Sequence, residues 1–458
     1  MAETKKVERK LNARVGFSRF VRDYGMLGVL ILLCLLFSVL TLREQQPTGA
    51  NAASAIEAAF TSLPLSQTNI LIAIQPNSED SLFSEHLKIA LTERGFSGIT
   101  VASGDPSTLR NQCETLAAGN RIDIIVTTRA YAPVMQSILS QIPALGSARL
   151  LTPPSYRWPT FLLADNIRNV ANQIAVIAII AIGMTMVIIT AGIDLSVGSL
   201  IALSAVVAAW LIARFGGTGA STSVMLLSGA AGILLCGASG AFSGLVITRF
   251  RIPPFIATLA IMQVAAGVAY IISQGLPIYQ IPDSFIILGR GVDPLLKIPY
   301  AVILMIALYI IAHILMTRTT VGRYIYAVGG NMEAARLAGI RVNGVLMFVY
   351  TLCGMLAGLG GVLMASQLKS GAPTYGITYE LYVIAAVVVG GTSLSGGEGR
   401  IFGTLIGAFV IAVIQNGMNL TNVESYTQKV VLGLVILVAV LLDRLKQQGL
   451  SWRKKKAG

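Results

Sequence analysis

About ten apolar runs, most of them long enough to cross a bilayer, leave this chain few alternatives to a membrane. They fall near residues 25–42, 168–190, 196–213, 223–247, 255–273, 298–316, 345–365, 379–393, 401–418 and 428–442. Two are short and suit tilted, broken or partly interfacial segments. Of 458 residues, 54% are hydrophobic and 12% charged, with a mean hydropathy of +0.73. In soluble domains about a quarter of residues are charged. The 46 glycines suit helices that approach closely in lipid. The fold class read from this is an all-α polytopic membrane protein of about ten transmembrane helices. The first run follows a long basic segment and precedes a soluble stretch, so it reads as a retained signal-anchor helix rather than a cleaved peptide.

The net charge is +13, and its placement orients the chain. Lys and Arg cluster in "MAETKKVERKLNARVGFSRFVR", "TRFR", "TRTTVGRYIYAVGGNMEAARLAGIR" and "DRLKQQGLSWRKKK". The alternate loops are nearly balanced. Positive loops stay in the cytoplasm, which places both termini inside and requires an even number of spans. The basic tails also suit attraction to lipid headgroups. Charge spread over membrane-flanking loops argues against nucleic-acid binding. Cys34, Cys236 and Cys353 lie in apolar runs, Cys113 stands alone in the polar insert, and His86 and His313 are far apart, so no metal site is expected.

The expected divisions are a basic cytoplasmic N-terminus (1–24), a first transmembrane helix (25–42), an extracytoplasmic insert (43–165), a transmembrane domain (166–445) and a basic cytoplasmic tail (446–458). The insert carries eight basic and ten acidic residues, a balance that long loops tolerate. Within it "NILIAIQP", "SGITVAS" and "RIDIIVTT" read as strands. "SLFSEHLKIALTERGF" and "DPSTLRNQCETLAAG" read as helices, the second capped by Asp105 before Pro106. The β-α-β-α-β order signals a small parallel α/β lobe over about 69–128. Its flanks, 45–68 and 130–160, are rich in Pro, Ser, Gly and Ala and read as linkers.

Three stretches carry the functional signal. "TAGIDLSVGS" places Gly192, Asp194, Ser196 and Gly198 between two apolar runs. Polar residues there are costly and mark helix breaks, pathways or partners. Asp194 is expected to cap the next helix by accepting from amides near Val197. "VVVGGTSLSGGEGRIFGTLIGA" is a second Gly-rich interruption, and the pair hints at an internal repeat. It lacks the Lys-Ser/Thr of a phosphate-binding loop, and no GxxxxGK[ST] occurs in the chain, so ATP hydrolysis by that route is not expected. "NMEAARLAGI" reads as a short helix with Asn331 as cap, Glu333 near its positive end and Gly339 as stop. Small residues on one face suit insertion into a groove on another protein.

Together "GIDLSVGS", "GRYIYAVGGNMEAARLAGI" and "AAVVVGGTSLSGGEGRIFGTLIGA" resemble the membrane permease of ATP-binding-cassette importers for monosaccharides, of the ribose, xylose and galactose type. The resemblance covers residues near 160 to 445. It implies that Asn331, Glu333, Ala334, Ala335 and Gly339 belong to a coupling loop that docks on an ATPase subunit. It also implies a second permease copy or homologue, a periplasmic sugar-binding protein, and the bacterial inner membrane as location. ATP would be used by the partner, with no cofactor or catalytic residue in this chain. The insert departs from the family pattern, whose members pass from first to second span through a short loop. It resembles part of the N-terminal lobe of periplasmic sugar-binding proteins, but is too short for the two lobes of a complete one.

Candidate pathway-lining residues are Gln263, Gln367, Glu380, Asn416 and Asn419; each is alternatively satisfied inside the helix bundle. A branched-chain amino-acid or nucleoside permease of the same superfamily remains open. An ion-driven transporter is a further alternative, with Asp194 and Glu380 as its acidic candidates. A sensor built on the insert is a third class, for which the cytoplasmic side offers no extended signalling domain.

Overall fold

The computed structural model describes residues 25–61, 68–119 and 121–455, with side chains up to 441. The expected basic N-terminus lies outside the described residues, and of the basic tail only backbone to Lys455 lies within them. The chain forms two compact units, one of residues up to Thr41 together with Phe161 onward, the other Leu42–Thr160. Among the described residues of the first, helix α1 spans Gly25–Leu40.

In the Leu42–Thr160 unit, strand β1 (Leu42–Gln45) and helix α2 (Gly49–Ile56) precede strand β2 (Ile70–Ile74), helix α3 (Ser78–Glu93) and strand β3 (Ile99–Ser103). Helix α4 (Pro106–Gly119), strand β4 (Ile124–Thr127), helix α5 (Ala132–Gln141), strand β5 (Arg149–Leu151) and strand β6 (Tyr156–Pro159) complete it. Strands β3-β2-β4-β5 form a parallel sheet in that order, with Ile70 opposite both Ile99 and Ile124. Every residue of β2 is buried, because helices cover both faces. Ile70, Ile72 and Ile74 pack with Phe83, Leu87 and Leu91 of α3. The alternate residues Leu71 and Ala73 pack with Leu109 and Cys113 of α4 and Met135 and Ile138 of α5. A strand covered on both sides reads as a continuous apolar run rather than an alternation. Asn77 caps α3 by accepting from the Asp80 amide at 2.8 Å. Asp105 caps α4 by accepting from the Thr108 amide at 2.8 Å and the Ser107 hydroxyl at 2.7 Å. The flanks read as linkers are structured. Pro133 in the first turn of α5 starts a helix instead of breaking one, and β1 pairs antiparallel with β6, Leu42 opposite Pro159.

In the first unit, helix α6 (Ala164–Ile189) is followed by α7 (Val197–Arg214), α8 (Thr222–Phe250), α9 (Pro254–Ser273), the single turn α10 (Ile287–Arg290) and α11 (Tyr300–Arg318). Two short helices, α12 (Thr320–Gly330) and α13 (Met332–Leu337), lead to α14 (Val342–Leu368), α15 (Tyr379–Val389), α16 (Ile401–Leu420) and α17 (Ser425–Lys455). Seven of these, α6, α7, α8, α9, α11, α14 and α16, are long and apolar enough to cross a membrane. Over the described side chains, Ser425–Leu441 of α17, Gly25–Leu40 of α1 and the whole of α15 are shorter apolar helices. Helix α15 is short because the Gly-rich interruption ends it at Gly390.

Helix α6 is central: 89% of its most apolar window is buried, against 22% for α9. A central helix is buried all round and needs no polar stripe, which is why residues 174–189 carry only Thr185 as a polar side chain. Helices α8 and α14 meet through glycine. A Cβ on Gly354 would run into the carbonyl oxygen of Cys236, and one on Gly358 would lie 2.8 Å from the Ile233 Cα. Small residues let backbones approach where no hydrophobic force drives helices together. Buried threonines add a cross-link, Thr185 Oγ1 to Thr404 Oγ1 at 2.7 Å between α6 and α16.

Candidate functional site

The first interruption begins where α6 stops at Ile189. Ala191 adopts a left-handed φ of 61°, and the chain runs non-helically to α7. Asp194 and Ser196 are both fully buried. Asp194 Oδ1 accepts from the Ser196 amide at 2.9 Å and the Ser196 hydroxyl at 2.6 Å. The expected cap on α7 is therefore not made: Ser196 takes the cap position without a side-chain bond, and the carboxylate closes a turn inside the loop. The nearer donors, two residues on, capture the oxygen before the helix amides reach it. Thr258 of α9 braces the loop, accepting from the Leu195 amide at 3.1 Å. Asp194 Oδ2 and the Tyr350 hydroxyl are buried and carry no hydrogen bond. The weakly donating thiol of Cys353 adjoins the same carboxylate. Gly192 is required here, since a Cβ would strike the Tyr350 hydroxyl.

Gly198, in the first turn of α7, touches another predicted residue. A Cβ there would collide with Glu380 Oε2 and sit 2.6 Å from the Gly376 carbonyl. The Glu380 carboxyl, half-buried at the start of α15, thus lies against the amino-terminal turn of α7, where the helix dipole favours a negative group. Sequence spacing gave no hint of this pairing.

The other candidate lining residues do not gather into one cluster. Gln367 is committed to structure: its Nε2 donates to the Asn172 carbonyl at 2.9 Å, while Asn172 Nδ2 donates to the Gly289 carbonyl at 2.9 Å. Asn419 Oδ1 accepts from Gln428 Nε2 at 2.8 Å. Asn416 is half-buried with Nδ2 unpartnered, and Gln263 is exposed on α9. Asn172 was missed by sequence reasoning. Its signal was present, an amide at the start of a long apolar run.

The α12–α13 segment forms an arm. Thr319 caps α12, accepting from the Gly322 amide at 3.3 Å. Asn331 both ends α12 and caps α13, accepting from the Ala334 amide at 2.9 Å. Glu333 pairs with Arg336 at 3.0 Å. Gly339 takes the left-handed conformation, φ 84°, that turns the chain toward α14. Ala335 faces inward against Val328, Val342 and Leu346, whereas Leu337 is 90% exposed. The arm thus presents a large apolar side chain outward, a feature not read from the sequence. A shallow cleft of about 400 Å³ lies beside it, lined by residues including Tyr324, Ile340, Arg341 and Phe348. Among the described residues no cluster of three or more His, Cys, Asp or Glu could hold a metal.

Long apolar helices, a buried carboxylate at a break between two of them and a short capped arm between two others define a multi-pass integral membrane protein. The comparison with known proteins makes this specific. The model of the branched-chain amino acid transport system / permease component family matches residues 166–440, and the chain belongs to that family. It is similar to the ribose import permease protein of Escherichia coli (strain K12), 41% identical over 322 residues, 70% of this chain and 96% of that protein. The Bacillus subtilis (strain 168) ribose import permease protein is 44% identical over 66% of this chain and 92% of its own length. The L-arabinose transport system permease protein of Escherichia coli (strain K12) is 38% identical over 63% and 86%. No solved structure matches. The family match begins beyond the Leu42–Thr160 unit.

Proposed function

We propose that this chain is the permease subunit of an ATP-binding-cassette importer and forms the translocation pathway for a monosaccharide. The observation that carries the reading is 41% identity across 96% of the length of a ribose import permease. The chain would itself perform no catalysis, ATP being bound and hydrolysed by a separate subunit. On this reading α1, α15 and the apolar part of α17 would join the seven long helices to make ten crossings of the inner membrane. The basic loops put both termini in the cytoplasm, and the Leu42–Thr160 unit then lies outside. There it offers a surface for a sugar-binding protein to dock.

In this reading the arm, with Asn331, Glu333, Ala334, Ala335 and Gly339, is the coupling segment. Leu337 suits a groove on the ATPase because burying one such side chain contributes about 1.5–3 kcal/mol. ATP binding would close the ATPase dimer, move the arms of two permease copies, and switch the packed helices between outward- and inward-facing states. Asp194, Gly192, Ser196 and Gly198 would shape the break around which α6 and α7 rearrange.

The test is reconstitution in lipid vesicles with the candidate ATPase, comparing wild type with Glu333→Arg/Gly339→Trp. The expected result is lost ATPase recruitment and lost ATP-driven uptake of radiolabelled ribose, xylose and arabinose, with the membrane fold intact. Uptake that needs no ATPase and collapses with an uncoupler would replace this reading with an ion-driven one.

A further inference from the structure

Three segments far apart in sequence meet, backbone to backbone, where α6 ends. The carbonyl of Ile189 is left over by that helix end, and the Gly397 amide of the second interruption donates to it at 2.8 Å. Gly329, next to last in α12, lies against the same carbonyl. A Cβ on Gly329 would overlap the Ile189 oxygen and stand 2.7 Å from the Gly397 nitrogen. The contacts are reciprocal. A Cβ on Gly396 would lie 2.8 Å from the Gly329 carbonyl and 2.9 Å from Ala191 Cβ, and one on Gly397 would lie 2.9 Å from the Gly330 Cα. Nearly a turn before Gly329, the Tyr326 hydroxyl donates to the Gly399 carbonyl at 2.8 Å.

We infer that this junction is the linkage through which the arm moves both interruptions at once, with Gly329 and Tyr326 as its positioning residues. The inference rests on the coupling reading of the arm. Two physical points support it. Val328, Ala335, Val342 and Leu346 pack α12, α13 and the start of α14 into one body, so a displacement of α13 reaches Gly329. Close-packed interiors transmit strain, and a contact made between main chains, with no Cβ interposed, has no rotamer that could absorb it. Pushing the arm therefore displaces the end of α6, where the Asp194 loop starts, and the loop that starts α16. Those are the two Gly-rich interruptions singled out in the sequence.

The neighbouring glycine supplies a matched control, because a Cβ on Gly330 meets nothing within 4 Å. Gly329→Ala, Gly330→Ala and Tyr326→Phe are placed in a Cys34→Ser background carrying Leu381→Cys. That reporter is 49% exposed, next to Glu380. Full-length protein is reconstituted with its ATPase, and three quantities are read: ATPase recruitment, ATP hydrolysis, and the change in maleimide labelling of the reporter on adding ATP. Gly330→Ala is expected to match wild type. Gly329→Ala is expected to recruit the ATPase and hydrolyse ATP within about twofold of wild type, while its ATP-driven labelling change falls at least tenfold. Tyr326→Phe, which removes only a hydroxyl and serves if Gly329→Ala fails to fold, is expected to lose at least threefold of the labelling change with recruitment unaltered. The inference is overturned if both variants keep the full response to ATP, or if recruitment and response fall in parallel. Loss of the coupling reading is visible separately, as normal ATPase recruitment by Glu333→Arg/Gly339→Trp.

Discussion

Replacing Asp194 with Ala tests whether its carboxylate serves as an acceptor or as a charge. One oxygen, Oδ1, holds the Ser196 amide at 2.9 Å and the Ser196 hydroxyl at 2.6 Å, and both residues are fully buried. Asp194→Ala strands two donors away from water. Each unmet buried donor costs about 1–3 kcal/mol, so the pair costs about 2–6 kcal/mol. The Ser196 hydroxyl can swing to another acceptor, which favours the lower half of that range. Asp194→Asn keeps the Oδ1 acceptor and replaces only Oδ2, the oxygen with no hydrogen bond. Neither Ser196 donor is stranded, so its net cost is about 1 kcal/mol or less. The assay is thermal unfolding in lipid nanodiscs in a Cys34→Ser/Cys113→Ser background, followed by a thiol-reactive dye that reports the buried Cys236 and Cys353. At roughly 2 °C per kcal/mol, the scale for larger domains, Asp194→Ala lowers the midpoint by about 4–12 °C and Asp194→Asn by about 2 °C or less. An alanine variant as stable as wild type would refute the donor accounting. An asparagine variant as damaged as alanine would show that the negative charge, not the acceptor, is what the loop needs.

Gly354→Ala drives a methyl into the Cys236 carbonyl and should cost about 1–3 kcal/mol. Gly267→Ala, with nothing within 4 Å, should be neutral or stabilising by up to about 1 kcal/mol; the same dye assay separates them. Thr404→Val removes the partner of Thr185 but leaves the latter its 2.6 Å bond to the Ala181 carbonyl, so the loss should be about 0.6 kcal/mol and below about 1.7. The Asp105 carboxyl is held below its ordinary value by the Thr108 amide first and then by the Ser107 hydroxyl. The cap's contribution is therefore complete above the unfolded value near 3.8 and is lost as pH falls through the lower folded value. Hydrogen exchange at the start of α4 in the full chain should accelerate over that acid window in wild type and not in Asp105→Asn, which caps equally well without titrating.

The sequence announces those parts of this molecule that depend on local pattern. Each of the long apolar runs contains a helix, because a stretch that excludes water must satisfy its own backbone. Asn331 and Asp105 cap the helices their positions suggest, since a cap is a contact across three residues. The strand-helix alternation from Ile70 to Thr127 likewise shows in short apolar runs between turns. Composition misleads where it stands in for pattern. The segment holding α5 and β5 is rich in Pro, Ser and Ala and looked like a linker, yet Met135 and Ile138 bury one helical stripe within it. Local pattern is equally silent where the determinant is an approach between distant backbones. Nothing near Gly329 announces that Ile189 and Gly397 will lie against it, because glycine records only that a side chain is unwelcome, not what excludes it.

The same distinction sorts the polar side chains that interrupt the apolar helices. Gln367 donates to the Asn172 carbonyl, 195 residues away, and Asn419 accepts from Gln428. These amides have partners in the fold already, and a passing solute would have to break structural bonds to use them. Among the described residues Glu380 makes no ion pair, and Asn416 Nδ2 has no partner at all. A pathway must offer polar groups that bind weakly enough to release what they hold, and uncommitted groups meet that condition where committed ones do not. Of the five candidates, Glu380 lies against an interruption, at Gly198 in the first turn of α7, and on the proposed reading it would be the one to test first. A rearrangement of the Asp194 loop would shift that turn and with it the setting of the Glu380 carboxyl. On the proposed reading the break and the polar group beside it would act as one device, worked by the arm that lies against the other end of the same break at Ile189.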